Sequence, residues 1–518
     1  MGQAEQTNPT ETNNLKMTSE IYKKISRNSI YNLIRRLVAF PTGLVLPPVT
    51  IKYIGLEGYG IWVLVQYIIT YTSVMDMGLS PAITKYTAEY EAREEHFKII
   101  QIFNTLFVIY VFLCCILFIV VFLCSGLIID FFIKPIKIPK ETVSFVLITS
   151  ALVFCFNMVF SVYSSFFNGL QRMDVTNKIG SISSICSCIL SILLLYLGGG
   201  IKGLAIAGGI SSLIAAFMYI RNSKKIAPYL VFNPFLFSFK TIKEIWGFSI
   251  YGAIGNMLAV AQFQSDKLII SYFLGVKSLA IYDVAHRLIF FIWGMCGSLI
   301  TPIMPAIAHT HAKYGVEGSK EAFQTIFKYT ALIVCPLFLF VSVFADKLIL
   351  VWLGTGYENA IPVLRVLSIA FFISVLSGPG ASILTGMGFY KICFYGGVIT
   401  TVLTVFLCLI LTIKFNILGC AIGFMWAYMI GVFYLFIQLQ KVFNTSSIPG
   451  ILYNSLMFPV VTSIFIFLAT HTLIEYFIIN KYMGLMLACV SLLIVYCFVI
   501  GKGRRYRVLW ESISTVRL

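Results

Sequence analysis

Long apolar runs alternate with short polar connections along the whole chain, and many of the runs approach or exceed the roughly 20 residues a helix needs to cross hydrocarbon. Fourteen spans follow from this pattern, near 30–53, 59–80, 101–128, 142–168, 176–197, 201–221, 245–274, 278–305, 323–345, 359–386, 391–414, 417–440, 451–475 and 483–501. Backbone polar groups in lipid must bond within their own segment, so each span reads as a helix. The expected fold is all-α and polytopic. An even number of crossings places both termini on one side.

Charge orients the helices. With the termini and every second loop on one face, roughly 24 Lys and Arg collect there, against about 9 opposite and five inside spans (Arg35, Arg36, Lys267, Arg287, Arg365). That asymmetry predicts a multi-pass protein of the cytoplasmic (inner) membrane with both termini in the cytoplasm. It also argues against nucleic acid as a partner despite the net charge of +17, because the cations sit in short loops instead of one groove. Composition agrees: 59% of residues are hydrophobic, 11% are charged and mean hydropathy is +0.91, which a soluble chain of this length would not sustain.

Residues 1–28 read as a flexible cytoplasmic tail with no cleavable signal; Gln6 stands where a myristoylation signal wants Ser or Thr. The thirteen cysteines form no CxxC pair and fall mostly inside apolar runs, as Cys114, Cys115, Cys155, Cys408 and Cys489 do, where a thiol acts as a small hydrophobe. His309 and His311 lack an acidic cluster. No metal and no cofactor are expected.

Positions about 220 residues apart repeat. Tyr53-Ile54-Gly55 answers Phe273-Leu274-Gly275, Ser80-Pro81 answers Thr301-Pro302, Gly169 answers Gly386, and Gly203-Leu204-Ala205-Ile206-Ala207 answers Gly419-Cys420-Ala421-Ile422-Gly423. The first twelve spans are therefore one six-helix unit used twice. Six is even, so the two lobes, 29–221 and 245–440, would be related by a pseudo-twofold axis along the membrane normal with a cavity between them. A basic cytoplasmic linker (222–244) joins them, and 441–518 adds two helices and a basic tail.

The segment SDKLIISYFLGVKSLAIYDVAHRL (265–288), with its counterparts YIGLEGYGIWVL (53–64) and MDMGLSPAITKYTAEYEAR (75–93), resembles the polysaccharide (O-antigen or Wzx-type) flippases of the multidrug/oligosaccharidyl-lipid/polysaccharide (MOP) exporter superfamily. The likeness covers about residues 25–440; Ala280 stands where many members carry Gly. It implies a transporter, not an enzyme, that moves an undecaprenyl-diphosphate-linked oligosaccharide to the outer leaflet by alternating access through a cationic cavity. Membrane lipids, a glycan polymerase or glycosyltransferases, and a coupling proton or sodium ion are the partners such a role brings in.

Charges within hydrocarbon are expensive and mark candidate sites. Arg35 and Arg36 lie roughly 10 Å into span 1 at 1.5 Å per residue, and Asp76 lies at similar depth in span 2. A guanidinium suits a diphosphate because its fork donates two parallel bonds and never deprotonates; snorkelling to the inner headgroups is the structural alternative. Arg365 enters span 10 from the outer side and completes the headgroup candidates. Asp266 and Lys267 in span 7, with Asp283, His286 and Arg287 at i, i+3, i+4 in span 8, read as an outer gate or ion-coupling site, or as a fixed ion-pair network. Pro41, Pro47 and Pro48 in span 1 and Gly378-Pro379-Gly380 in span 10 are candidate hinges, since proline removes a backbone bond and clashes with the preceding turn.

Rival readings are a cation-coupled multidrug exporter of the same superfamily, which calls for unpaired acids, and a peptidoglycan-precursor lipid flippase. A membrane glycan polymerase would need an outer loop rich in acids, Arg or His, whereas the longest outward loop (129–141) offers only Asp130 and Glu141 among three lysines. No GxxxxGK[ST] loop is present for ATP. The repeat duplicates the scaffold but not its charges: Arg35 and Arg36 align with Gly255 and Asn256, Asp76 near Cys296, and Asp266 with Leu46.

Overall fold

In the computed structural model, which describes residues 35, 42–133, 138–300, 303–445, 448–477 and 480–503, the apolar runs are helices and no strand occurs among those residues. A helix over 42–71 (α1) leads into a 3-10 turn, Thr72–Asp76, and then α2 (Leu79–Ala92). There follow α3 (His96–Phe132), α4 (Lys140–Gly169), α5 (Met173–Tyr196), α6 (Gly200–Ile226), α7 (Phe239–Leu274) and α8 (Val276–Ile300). The chain ends with α9 (Ile303–Val343), α10 (Ala345–Leu353), α11 (Ala360–Gly386), α12 (Tyr390–Val442), α13 (Ile448–Tyr476) and α14 (Lys481–Gly503). Ten helices among the described residues are long and apolar enough to cross a membrane. Large apolar side chains such as Leu123, Leu127, Phe433 and Phe465 stay exposed on them, as lipid-facing surfaces require. The protein is an all-α, multi-pass membrane protein.

Local backbone breaks reconcile these helices with fourteen spans. At 1.5 Å per residue the 53 residues of α12 would reach about 80 Å, far beyond a core of about 30 Å. The break comes at Phe415 and Asn416, where Asn416 takes φ 54°, so α12 supplies two spans. In α1 the same role falls to Gly55 (φ 71°), between spans 1 and 2. In α9 Gly315 (φ 65°) separates a leading extension from the span that follows.

The chain divides into two compact units. One comprises Met1–Ile54, Thr72–Ile129 and Lys137–Asn256; the other comprises Gly55–Tyr71, Asp130–Ile136 and Met257–Leu518. Segment 55–71, which in sequence belongs to the first six-helix half, thus groups with the second unit. In the first unit, Phe103 packs edge-on against Tyr163 and Phe166 at 4.9 and 5.9 Å. Asn104, buried on α3, donates to the Val231 carbonyl (2.9 Å) and accepts from the Asn233 amide (2.8 Å), and Thr105 accepts from the Ser238 amide (3.2 Å). These bonds strap the 222–244 connection onto α3. Tyr229 in that connection donates to Glu91 (3.0 Å), and burial together with that carboxylate holds its phenol well above the usual range.

The repeated glycines perform equivalent jobs in the two sequence repeats. Gly55 and Gly275 (φ 81°) both take the left-handed conformation that ends a helical segment. A Cβ on Gly169 would meet Thr87 of α2 at 2.6 Å, and one on Gly386 would meet the Met304 carbonyl of α9 at 2.9 Å. Gly169 thus closes its span against α2, and Gly386 closes its span against α9. In the second unit, Phe323, Phe327, Ala331, Leu384 and Leu439 form an apolar core between α9, α11 and α12. Gly378 and Gly380 flank Pro379 within α11 and admit the side chains of Ile300 and Leu439.

Gly60 on α1 lies so close to the Val276 backbone that any Cβ there would overlap its carbonyl. Overpacking of a side chain costs about 1–3 kcal/mol where neighbours can yield, and a backbone carbonyl yields least. Gly60→Leu is therefore expected to lower the thermal midpoint of the purified protein by several degrees. An unchanged midpoint would mean that α1 does not hold this close approach.

Candidate functional site

The sequence-predicted charges of spans 7 and 8 converge in the second unit as two adjoining networks. In the first, Asp266 and Lys267 of α7 are fully buried and form an ion pair of 3.0 Å. The ammonium also donates to the Phe263 carbonyl (2.5 Å) and meets His286 Nε2 of α8 at 2.9 Å. An ammonium has three donors and no acceptor, so His286 Nε2 offers a lone pair and the imidazole is neutral with its proton on Nδ1. Tyr282 donates to the other Asp266 oxygen at 2.6 Å.

In the second network Arg287 Nε donates to Asp283 Oδ2 at 2.6 Å, one helical turn apart. Two phenols of α1 also donate to this buried carboxylate, each at 2.5 Å: Tyr59 to Oδ2 and Tyr67 to Oδ1. The two networks touch through the Tyr67 ring, whose centroid lies 5.5 Å from Lys267 Nζ. Phe263, Phe290, Trp293 and Phe371 pack on one another around His286. In such surroundings each charge requires its partner. A further salt bridge, Glu57 to Lys277 at 3.7 Å, joins the turns on either side.

The sequence anticipated the residues of α7 and α8, as a gate or as a fixed ion-pair network; the structure resolves two ion pairs, and Asp266 Oδ1, although 3.0 Å from the ammonium, makes no hydrogen bond. The sequence missed Tyr59, Tyr67 and Tyr282. A tyrosine in an apolar span is unexceptional until the carboxylate it serves is known, although Tyr59 and Asp283 do fall in the two halves of the motif.

The first unit holds the other candidates. Asp76 ends the 3-10 turn, and Met77 (φ 47°) and Gly78 (φ 67°) then break the chain before α2. Tyr110 of α3 and Ser80 of α2 both donate to Asp76 Oδ1, Ser80 at 2.8 Å. A cavity of about 360 Å³ opens beside them, lined by Ser73, Asp76, Ser80, Asn157, Ser161 and Asn256 among others. Arg35 is exposed and lays its guanidinium on Gly180 of α5: its Nε, Cζ and Nη2 stand 2.9, 3.0 and 3.1 Å from where a Cβ on Gly180 would be. Gly180, absent from any sequence expectation, is the space Arg35 occupies.

Arg365 lies exposed on α11, in no ion pair among the described residues. Pro47 and Pro48 sit within α1, which runs helical past both; α11 likewise runs unbroken through Pro379. Arg36 and Pro41 lie outside the described residues.

Residues 53–362 match the family model described as polysaccharide biosynthesis protein. A Shigella flexneri protein named as a candidate O-antigen transporter is 24% identical over 411 residues, covering 77% of this chain and 94% of its own. Among solved structures, the lipid II flippase MurJ in an inward closed conformation superposes with a TM-score of 0.73 at 16% identity, covering 93% of this chain and 99% of its own. An inward-facing multidrug resistance MATE family transporter of the MOP superfamily gives 0.60 at 16% identity over 81% of this chain and 96% of its own. These structures establish the fold that the charged networks are built on, and the match over residues 53–362 establishes the lineage: the chain belongs to the polysaccharide biosynthesis protein family.

Proposed function

We propose that this transporter carries a lipid-linked, undecaprenyl-diphosphate oligosaccharide from the cytoplasmic to the outer leaflet by alternating access of two six-helix lobes. Sugar hydroxyls and a diphosphate lose their water in hydrocarbon without replacement, so their passage needs a polar route. The observation that carries the reading is Arg35, exposed and seated on Gly180, with its fork free of any carboxylate among the described residues. It presents two parallel donors to a phosphate. The carboxylate, hydroxyls and amides around Asp76 in the same unit offer complementary partners for sugar hydroxyls.

A cation-coupled drug exporter would expose an acid without a partner. Here Asp266 and Asp283 are ion-paired, and Asp76 accepts from two hydroxyls, which favours the anionic substrate. Energy would come from an ion gradient, the membrane potential or downstream consumption of the glycan. Both termini lie in the cytoplasm in this scheme, and a polymerase or glycosyltransferases work beside it.

Deleting the chain from its host should trap lipid-linked glycan on the cytoplasmic face; normal surface glycan after deletion would overturn the proposal. In complementation, Arg35→Ala should lower export at least about tenfold at equal protein level, the weight of a charge-assisted bond. Gly180→Val should do the same by displacing the guanidinium. Wild-type export by both variants would assign Arg35 to snorkelling.

A further inference from the structure

Away from these networks, α10 and α13 of the second unit bring together three ligand-bearing side chains to which the proposed function gives no role. His471 and Glu475 are one helical turn apart on α13, so they share a face. Asp346 opens α10 and turns Oδ1 toward His471 Nε2 at 3.4 Å. Both atoms are shut off from solvent, yet neither makes a hydrogen bond. A buried imidazole nitrogen and a buried carboxylate oxygen left unpaired are each costly, and here they face each other.

Their spacing has a simple chemical meaning. Two ligand atoms on a tetrahedral zinc ion, with bonds of about 2.0–2.1 Å, stand about 3.4 Å apart. Lys347 Nζ lies 3.2 Å from Asp346 Oδ2, which anchors one carboxylate oxygen and leaves the other for a metal. The Phe344 ring backs the imidazole with centroids 5.9 Å apart. Glu475 is 59% exposed, with its carboxylate 3.8 Å from His471 Nδ1, and the three residues offer ligand atoms within 4.8 Å of one another.

We propose that Asp346, His471 and Glu475 form a binding site for a divalent transition-metal cation of the zinc class, which fastens α13 to α10. One imidazole with two carboxylates suits zinc better than calcium or magnesium, which prefer oxygen ligands alone. A solvent molecule fills the fourth position. Sequence alone does not mark this site, because one His and one Glu in an apolar span declare nothing until α10 supplies the third ligand.

The test uses the full-length protein without an affinity tag, in nanodiscs, after treatment with chelator. Titration with Co2+ should show one equivalent per chain with the intense visible bands of four-coordinate Co2+, displaced by Zn2+. His471→Asn and Asp346→Asn should each weaken binding at least about tenfold. Zn2+ should raise the thermal midpoint of the wild type but not of His471→Asn. Glu475→Gln, at an exposed position, serves where the other variants misfold, and should also weaken Co2+ binding. The proposal is overturned by the absence of saturable binding, or by wild-type Co2+ spectra and affinity in the folded variants.

Discussion

Asp283→Ala is expected to lower the unfolding free energy by about 3 kcal/mol, read as a lower thermal midpoint of the purified protein, and to abolish glycan export. One carboxylate serves three donors here: Arg287 of its own helix, and Tyr59 and Tyr67 of α1. Its removal strands a cation and two phenols in an apolar setting. Breaking a buried ion pair costs about 3–5 kcal/mol, and the value belongs near the lower end because the Arg287 side chain is 36% exposed and can reach solvent. Tyr59→Phe and Tyr67→Phe should each cost about 1 kcal/mol, the net worth of one hydrogen bond. The double variant Asp283→Ala/Arg287→Leu removes the stranded charge, so most of the lost stability should return. Export should not return with it, because segment 55–71 stays unclasped. A wild-type midpoint for Asp283→Ala would show that the clasp does not exist in the membrane. Export by the stabilised double variant would show that it exists but does not gate.

This outcome depends on a property of the fold that the sequence half revealed. Hydrophobic runs in lipid leave few choices, so the helices and most of their ends were legible from length alone. The paired glycines were legible as a repeat because Gly55 and Gly275 hold a left-handed backbone and because close approach at Gly169 and Gly386 tolerates no side chain. Charges at 266, 267, 283, 286 and 287 stood out because hydrocarbon makes them rare. Their partners did not stand out. Tyr59, Tyr67 and Tyr282 carry polar tips on apolar rings and belong equally well to a core, and Gly180 is one helix-interior glycine among many. The grouping of 55–71 with the second unit is a tertiary fact that no local signal carries. Asp346 and His471 stayed hidden for the same reason: a constellation drawn from α10 and α13 has no spacing in the chain.

The neighbouring network should behave in the opposite way to the clasp. Lys267→Met keeps the length of the side chain but removes its charge, leaving Asp266 fully buried with the Tyr282 hydroxyl as its remaining strong partner. A loss of about 3–5 kcal/mol is expected, larger than at Asp283 because neither Asp266 nor Lys267 reaches solvent. Asp266→Asn/Lys267→Met then removes both charges together. Replacing a whole buried ion pair by groups of similar volume is often neutral or stabilising, so the double variant should recover to within about 1 kcal/mol of the wild type. Export should recover too. The ammonium bonds the Phe263 carbonyl and His286 Nε2 and pairs with Asp266, so the network works as a bolt between α7 and α8. If the double variant folds to wild-type stability yet fails to export, the bolt reading is wrong and the pair must exchange a proton or ion during the cycle. The contrast between a double variant that regains both properties here and one that regains only stability at Asp283/Arg287 would divide the charged set into a structural half and a moving half.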